Sequence, residues 1–400
     1  MTHSLRIATT LSLCAASLLA SGYRIPEQSL NSVSLSAAYV ASANGADASY
    51  YNPANMAFMA QGAYSEVALT YINLPQVNYD AAATTPSGNA DGDSKEENFL
   101  MPNLHYVSPS VGNWRYGLSI TAPAGLSKRW DDAYQMRTAE EFTLKVIEIN
   151  PTVSYKVNDQ FALGFGLRGV YTEGEVSAVR SPYYSQELTG DSIDFGYNLA
   201  LSYKPIQDVT FAATYRSKVD LTVKGDATGY YLTYPFSTNA SVEIPLPASL
   251  ALATAYTYAK TTVEFVFERT YWSSYKELDF DYGDSVANTV FGTAKLKNWK
   301  DANAYRIGVT HQCTDNLKMM LGFAIDKSPT PDSTLGFELP DSDAKLYSIG
   351  FEYKVNEKTS VGLAYLYDDK EERTVSNGTV NGTFTDSSAH LLTASLKYKF

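Results

Sequence analysis

The chain has 400 residues and a formal net charge of -12, with 18% charged and 13% aromatic side chains and 31 Tyr against 17 Phe. So acidic a chain does not suit phosphate backbones, which need a basic surface, and nucleic acid is excluded as a partner. Two cysteines, Cys14 and Cys313, make no disulfide framework. Beyond the N-terminus no apolar run approaches the ~20 residues of a membrane helix; a membrane barrel is still allowed, because its strands alternate apolar and polar residues and leave little trace in a mean hydropathy of -0.22.

At the N-terminus Arg6 precedes an apolar core from Ile7 to Leu19, followed by Ala20, Ser21 and Gly22. This is the pattern of a secretory signal, residues 1–21, cut near Ala20 or Ser21. A lipoprotein signal at Cys14 fits less well, since Leu13 stands where a small residue is wanted and the apolar core runs past the cysteine. The stretch from Gly22 to Met59 is rich in Ser, Ala, Gly and Asn and lacks sustained alternation, so it makes a poor strand. Residues 22–62 are read as a small N-terminal hatch, or plug, and residues 63–400 as one all-β body wrapped around it.

That body reads as strands over Tyr64–Asn73, Phe99–Val107, Trp114–Ala122, Phe142–Val157, Phe161–Thr172, Ile193–Lys204, Val209–Lys224, Ala240–Tyr256, Thr261–Tyr271, Ala302–Gln312, Leu317–Asp326, Leu346–Val355, Ser360–Tyr367 and His390–Phe400. The count is about fourteen, even as bacterial outer-membrane barrels require. Tight connections such as Asn158-Asp159, Pro205–Asp208 and Thr314–Asn316 take turns with long polar loops, as in a chain that crosses a membrane back and forth. Faces alternate too: Leu392, Ala394, Leu396, Tyr398 and Phe400 oppose Thr393, Ser395, Lys397 and Lys399. The fold expected is an all-β, 14-stranded antiparallel transmembrane β-barrel plugged by the hatch. The terminal aromatic, Phe400, is the mark read by the barrel assembly machinery.

Several motifs carry less than they suggest. Gly164–Gly169 matches GxGxxG but lies inside an alternating strand and opens no helix, so small lumen residues that leave room for the plug explain it better. Asp91–Glu97 holds many carboxylates without the spacing of a calcium loop. Outside the signal the histidines are His105, His311 and His390, and none sits in a recognisable catalytic motif. No enzyme, metal or cofactor is expected.

The plug segment with Asn52-Pro53-Ala54 resembles the NPA hatch motif of the FadL-type long-chain fatty acid transporters, a group that includes the TodX-like hydrocarbon channels. Gly322–Pro331 looks like that family's strand-to-loop motif ending in DxSPxP, here Asp326, Ser328, Pro329 and Pro331. Lys300-Asp301 with Tyr305–Gly308, and Leu339–Asp343 with its PDxD pattern, resemble flanking family segments. The resemblance runs from the hatch to Phe400. It implies a monomeric outer-membrane barrel that takes up long-chain fatty acids or other hydrophobic molecules past the lipopolysaccharide, holds them in an inner pocket and releases them sideways through a gap at the third strand. Pro123 and Gly125 follow Ala122 there, and Pro102 lies on the neighbouring strand; Pro cannot donate to a ladder and Gly permits a bend. Arg168, Arg216, Arg306 and Lys318, on the presumed lumen face with Glu264, are candidates for a carboxylate headgroup, although such residues also pair with lumen carboxylates. The aromatic-rich segments Arg180–Tyr184 and Tyr230–Phe236 are candidates for an outer capture groove. Hydrocarbon uptake, a diffusion porin and an adhesin-like barrel are the alternatives.

Overall fold

In the computed structural model, which describes residues 22–83, 85, 90–181 and 183–400, the alternating segments close into a 14-strand antiparallel barrel. The expected signal, residues 1–21, lies outside the described residues. The barrel strands are β1 (Tyr64–Leu74), β2 (Glu97–Val107), β3 (Trp114–Arg129), β4 (Glu141–Lys156), β5 (Phe161–Ser181), β6 (Tyr184–Ile206), β7 (Val209–Arg216 and Val219–Tyr231), β8 (Tyr234–Leu246 and Ser249–Tyr258), β9 (Thr261–Thr270), β10 (Ala302–Gln312), β11 (Leu317–Asp326), β12 (Ala344–Lys354), β13 (Thr359–Lys370) and β14 (Ser388–Lys399). β1 pairs with β14 from Tyr64↔Lys399 to Asn73↔His390, which joins the last strand to the first and leaves no free edge at that seam.

Two expectations need correction. β5 to β8 run well beyond the expected ends at Thr172 and Lys224, so Tyr230–Phe236 and the described part of 180–184 lie at the tips of long hairpins rather than in loops. Alternation hid these extensions because, away from the apolar belt, the outward face turns polar (Glu173, Glu175, Glu187) while the backbone still pairs. β3 also continues past Ala122 to Arg129.

The outer face is apolar and the inner face polar, the reverse of a soluble barrel. Along β1 Val67, Leu69 and Tyr71 are exposed while Glu66, Thr70 and Ile72 are buried. The same sense holds in β14, where Leu392 and Leu396 face out and Thr393 and Ser395 face in. The inner face is buried because residues 22–63 occupy the lumen. This segment forms short helices at Leu30–Ser34 and Ala48–Tyr51 and a 3-10 turn at Pro53–Phe58. A row of inward glycines makes the space: a Cβ on Gly322 would meet Leu35 and Ser36, one on Gly350 would meet Ser34, and one on Gly362 would meet Leu30. Above the lumen a small sheet of Asn78–Ala81, Gly92–Asp93, Arg373–Ser376 and Asn381–Thr385 packs Tyr79 and Phe384 against Phe337 and Trp130.

Candidate functional site

β2 and β3 pair only over Leu104–Val107 with Gly117–Ile120. Higher up, β2 stays with β1 as far as Glu97, while β3 parts from β2, stays paired with β4 as far as Arg129, and has both its faces buried from Thr121 to Lys128. The cause is local. Pro123 has no N–H for a ladder, and the register of β3 against β4 slips between Thr121 and Ala124, which leaves Ala122 and Pro123 as a bulge. The two edges meet again above, where Lys95 N–H donates to Arg129 O at 2.9 Å and Glu97 holds the Arg129 guanidinium at 2.6 Å. The wall thus contains a window framed above and below. Pro102 lies on its β2 edge, at a position paired with Leu69 of β1.

The N-terminal segment fills that window by adding itself to the free edge of β3. Ile25 N–H donates to Pro123 O and Gly125 N–H donates to Tyr23 O, each at 2.9 Å, with Arg24 opposite Ala124. Gln28 stitches the bulge: its Nε2 donates to Ala122 O at 2.8 Å and its Oε1 accepts from Ala122 N–H at 2.9 Å. From β2, His105 Nε2 lies 2.8 Å from Gln28 O. Such hydrogen bonds contribute only about 0.5–1.5 kcal/mol each, so the segment is held to the β3 edge by individually weak contacts.

Ion pairs fix the segment from behind. Arg24 reaches Glu268 at 2.8 Å, and Arg306 lies 3.4 Å from Glu268 and 3.0 Å from Asp326. Glu264 of β9 accepts the N–H groups of Val40 and Ala41 at 2.6 Å and of Ser42 at 2.9 Å, docking the middle of the plug. Asn52 accepts from Ala54 N–H at 3.1 Å and donates to Val40 O at 3.0 Å and to Ser202 Oγ at 2.9 Å, while Pro53 and Ala54 lie where a Cβ on Gly164 would sit. The NPA turn is therefore both a cap and a docking contact with β5 and β6. Gly164 is small for the plug, as its alternation suggested.

Two narrow apolar slots lie above the window. One is lined by Tyr23, Leu126, Phe142, Leu144, Ile244, Tyr275, Trp299, Leu339 and the ion pair Lys297–Glu338. A second shares Phe142, Leu144 and Ile244 with the first and runs on along Leu188, Val223 and Val242. At the hairpin tips a wider vestibule, open to solvent, is lined by Tyr230, Phe236 and carboxylates that include Glu141, Glu175 and Glu187. Pro182 and the side chains of Arg180 and Ser181 lie outside the described residues. Tyr23 seals the first slot toward the window, its ring 4.6 Å from that of Trp272 and 5.8 Å from that of Trp299.

The four headgroup candidates all stand in ion pairs: Arg168 with Glu148 at 2.8 Å, Arg216 with the same carboxylate, Arg306 as above, and Lys318 with Glu352 at 2.9 Å. The DxSPxP residues instead lock the outer loops. Asp326 holds Arg306, Ser328 Oγ donates to Asp341 at 2.5 Å, Pro329 O accepts Lys300 N–H at 2.9 Å and Pro331 O accepts Thr334 N–H at 3.1 Å. Asp341 in turn pairs with the fully buried Lys370 at 2.7 Å, so the PDxD segment and the SP turn close on one buried charge. Sequence reasoning missed Gln28, Glu27, Tyr23 and the Trp272/Trp299 pair. No local pattern marks them, because their roles depend on strands far away in sequence. Among the described residues no cluster of His, Cys, Asp and Glu suits a metal ion.

An antiparallel barrel of fourteen strands with an apolar outer belt and a polar, filled lumen has the architecture of a bacterial outer-membrane barrel. The family described as "Outer membrane protein transport protein (OMPP1/FadL/TodX)" matches residues 11–400, and the chain belongs to it. It is similar to the long-chain fatty acid transport protein of Salmonella typhi, at 26% identity over 79% of this chain and 80% of that protein. Outer membrane protein P1 of Haemophilus influenzae is 23% identical over 98% of each chain. Among solved structures, a Pseudomonas aeruginosa FadL homologue gives a TM-score of 0.83 at 20% identity, covering 95% of this chain and 100% of that one. The Pseudomonas putida toluene transporter TodX gives 0.73 at 15% identity, covering 95% and 99%.

Proposed function

We propose that the chain passes long-chain fatty acids and kindred hydrophobic molecules through its apolar slots by passive diffusion, without a cofactor, and releases them sideways into the membrane through the β2–β3 window. An acyl chain loses about 25 cal/mol for each Å² of apolar surface returned to water, so a dry side exit is far easier than a wet bore. The observation that carries the reading is the β3 edge at Ala122–Gly125: it is bonded to the chain's own N-terminus instead of to β2. Residues 22–62 then act as the hatch. A ligand in the first slot competes with Tyr23 for the same apolar walls, and displacement of Tyr23 frees the segment from β3. Phe400, whose N–H donates to Ala63 O at 3.0 Å beside the β1–β14 seam, is the residue for the assembly machinery to read.

Arg24 and Ala124 face each other across the closure, so an Arg24→Cys/Ala124→Cys pair, made with Cys313→Ser, can lock the window with a disulfide. Locked protein should stop labelled oleate uptake in cells lacking other fatty acid channels, and reductant should restore it. Undiminished uptake through the locked barrel refutes lateral release. A second reading, uptake of neutral hydrocarbons, is favoured by one feature: Lys297, the cation lining the first slot, is already neutralised by Glu338. Binding of oleate against toluene to purified protein separates the two.

A further inference from the structure

The wall is interrupted a second time, between β6 and β7. These strands pair from Ile206↔Val209 up to Asn198↔Arg216, and again from Asp191↔Lys224 to Tyr184↔Tyr231. In between, residues 192–197 of β6 lie beside the longer stretch 217–223 of β7, and among the described residues no ladder joins the two. The extra residue shifts the faces of β7: Arg216 points to the lumen below the seam, and Val219, Leu221 and Val223 are buried above it. Side chains stand in for most of the missing ladder. Tyr197 N–H donates to Ser217 Oγ at 2.9 Å and Thr222 N–H donates to the Asp194 carboxylate at 3.1 Å, with one backbone bond, from Ser217 N–H to Tyr197 O at 2.9 Å, at the lower end.

The two sides of the seam are both apolar. On the outer wall Phe195 is 76% exposed and Ile193 66%. On the inner side Val219 and Leu221 stand across from Leu246 and Ile244 of β8; Ile244 lines both apolar slots and Val223 lines the second. An apolar path therefore leads from the outer belt to the slots, and what crosses it is side chain instead of a bonded pair of strands. Hydrocarbon offers an unpaired strand edge no other partner, so a membrane barrel ordinarily bonds every edge to its neighbour. A stretch bridged by rotatable side chains is where such a wall parts with the fewest bonds broken.

We infer that the β6–β7 seam is a second port in the wall, through which hydrophobic molecules dissolved in the surrounding membrane enter the apolar slots. This rests on the reading of the slots as the ligand pocket and divides the route in two: entry at β6–β7, release at β2–β3.

The test is stopped-flow quenching of tryptophan fluorescence by bromododecane, with the full-length barrel in liposomes. Trp114→Phe removes the indole exposed on the outer wall, leaving Trp299 on the first slot and Trp272 packed 4.9 Å from it, ring to ring, as reporters. A Cβ on Gly196 would lie 2.7 Å from Val219 Cγ2, so a Gly196→Cys/Val219→Cys pair, made with Cys313→Ser, can close the seam with a disulfide. Oxidation of that pair should slow quenching at least about tenfold, reductant should restore it, and the final amplitude should not change, since a port sets the rate of entry and not the occupancy at equilibrium. Asp194→Ala takes the acceptor from Thr222 N–H and should speed quenching about fivefold, the equivalent of one hydrogen bond. An unchanged rate in the oxidised pair overturns the port, as does a rate that falls only when the Arg24/Ala124 pair locks the window. Absence of quenching in protein with neither lock overturns the slots as the ligand pocket and the port with them, a result visible before any disulfide is made. Heat-modifiable mobility on gels confirms that the cysteine pair has folded; if it has not, Asp194→Ala decides alone, and an unchanged rate there overturns the port.

Discussion

Glu27 lies on the segment that closes the window, a segment that does not itself cross the membrane, and it offers the sharpest perturbation. Its carboxyl is fully buried with neither oxygen bonded. The charged groups around it are Arg306 of β10, Asp326 of β11, Glu268 of β9 and Asp368 of β13. Burial pushes its pKa up from 4.5 to about 7; Arg306, already shared between Asp326 and Glu268, offsets this only in part, and those two acids push it further up. A raised carboxyl favours the docked segment when protonated. The contribution is therefore fully present below about pH 4.5 and is lost as pH rises through about 7. That interval, at about 1.4 kcal/mol per pH unit, corresponds to about 3 kcal/mol of docking free energy. Hydrogen exchange of residues 22–29 at matched intrinsic rates should show protection falling on the order of a hundredfold between pH 5 and pH 8. Glu27→Gln should abolish most of that slope and keep the segment docked at pH 8. Wild-type protection that does not change with pH, or a Gln variant with the same slope, would falsify the assignment of this carboxyl to the closure.

Three further perturbations follow from packing and pairing. Gly322→Val places methyl groups where Leu35 and Ser36 run, an overpacking of about 1–3 kcal/mol or more; it should loosen the plug and give ion conductance in planar bilayers at normal barrel abundance, and a silent bilayer counts against the fit. Asp341→Asn leaves the ammonium of Lys370 buried without its counter-charge, a loss of about 3–5 kcal/mol, so the outer loops should become sensitive to external protease while the barrel stays heat-modifiable. Asn52→Ala removes a cap, one hydrogen bond within the segment to Val40 and one docking hydrogen bond to Ser202, about 2–3 kcal/mol together, and should lower the thermal midpoint measured by gel mobility; an unchanged midpoint would mean that the NPA turn is merely a turn.

Strand number, connection parity and which faces look outward were legible because each rests on a two-residue period that survives in the linear sequence. The same period gave the strand ends only where an apolar belt enforces it, which is why β5 to β8 read too short. Asn52 and Pro53 were legible as a turn since capping is local, and Pro123 as a break because it lacks a donor. What occupies the break was not legible. Nothing in Tyr23, Arg24, Ile25 or Gln28 says that they complete an edge a hundred residues downstream; for Arg168, Arg216, Arg306 and Lys318 pairing with lumen carboxylates was foreseeable, but not which carboxylate meets each. Pairing across a barrel depends on which inward rows face one another after closure, and that is fixed by register and plug together. By itself the sequence determined an even-stranded antiparallel barrel; the closed tertiary structure alone decided which donors and carboxyls lie buried beside the window.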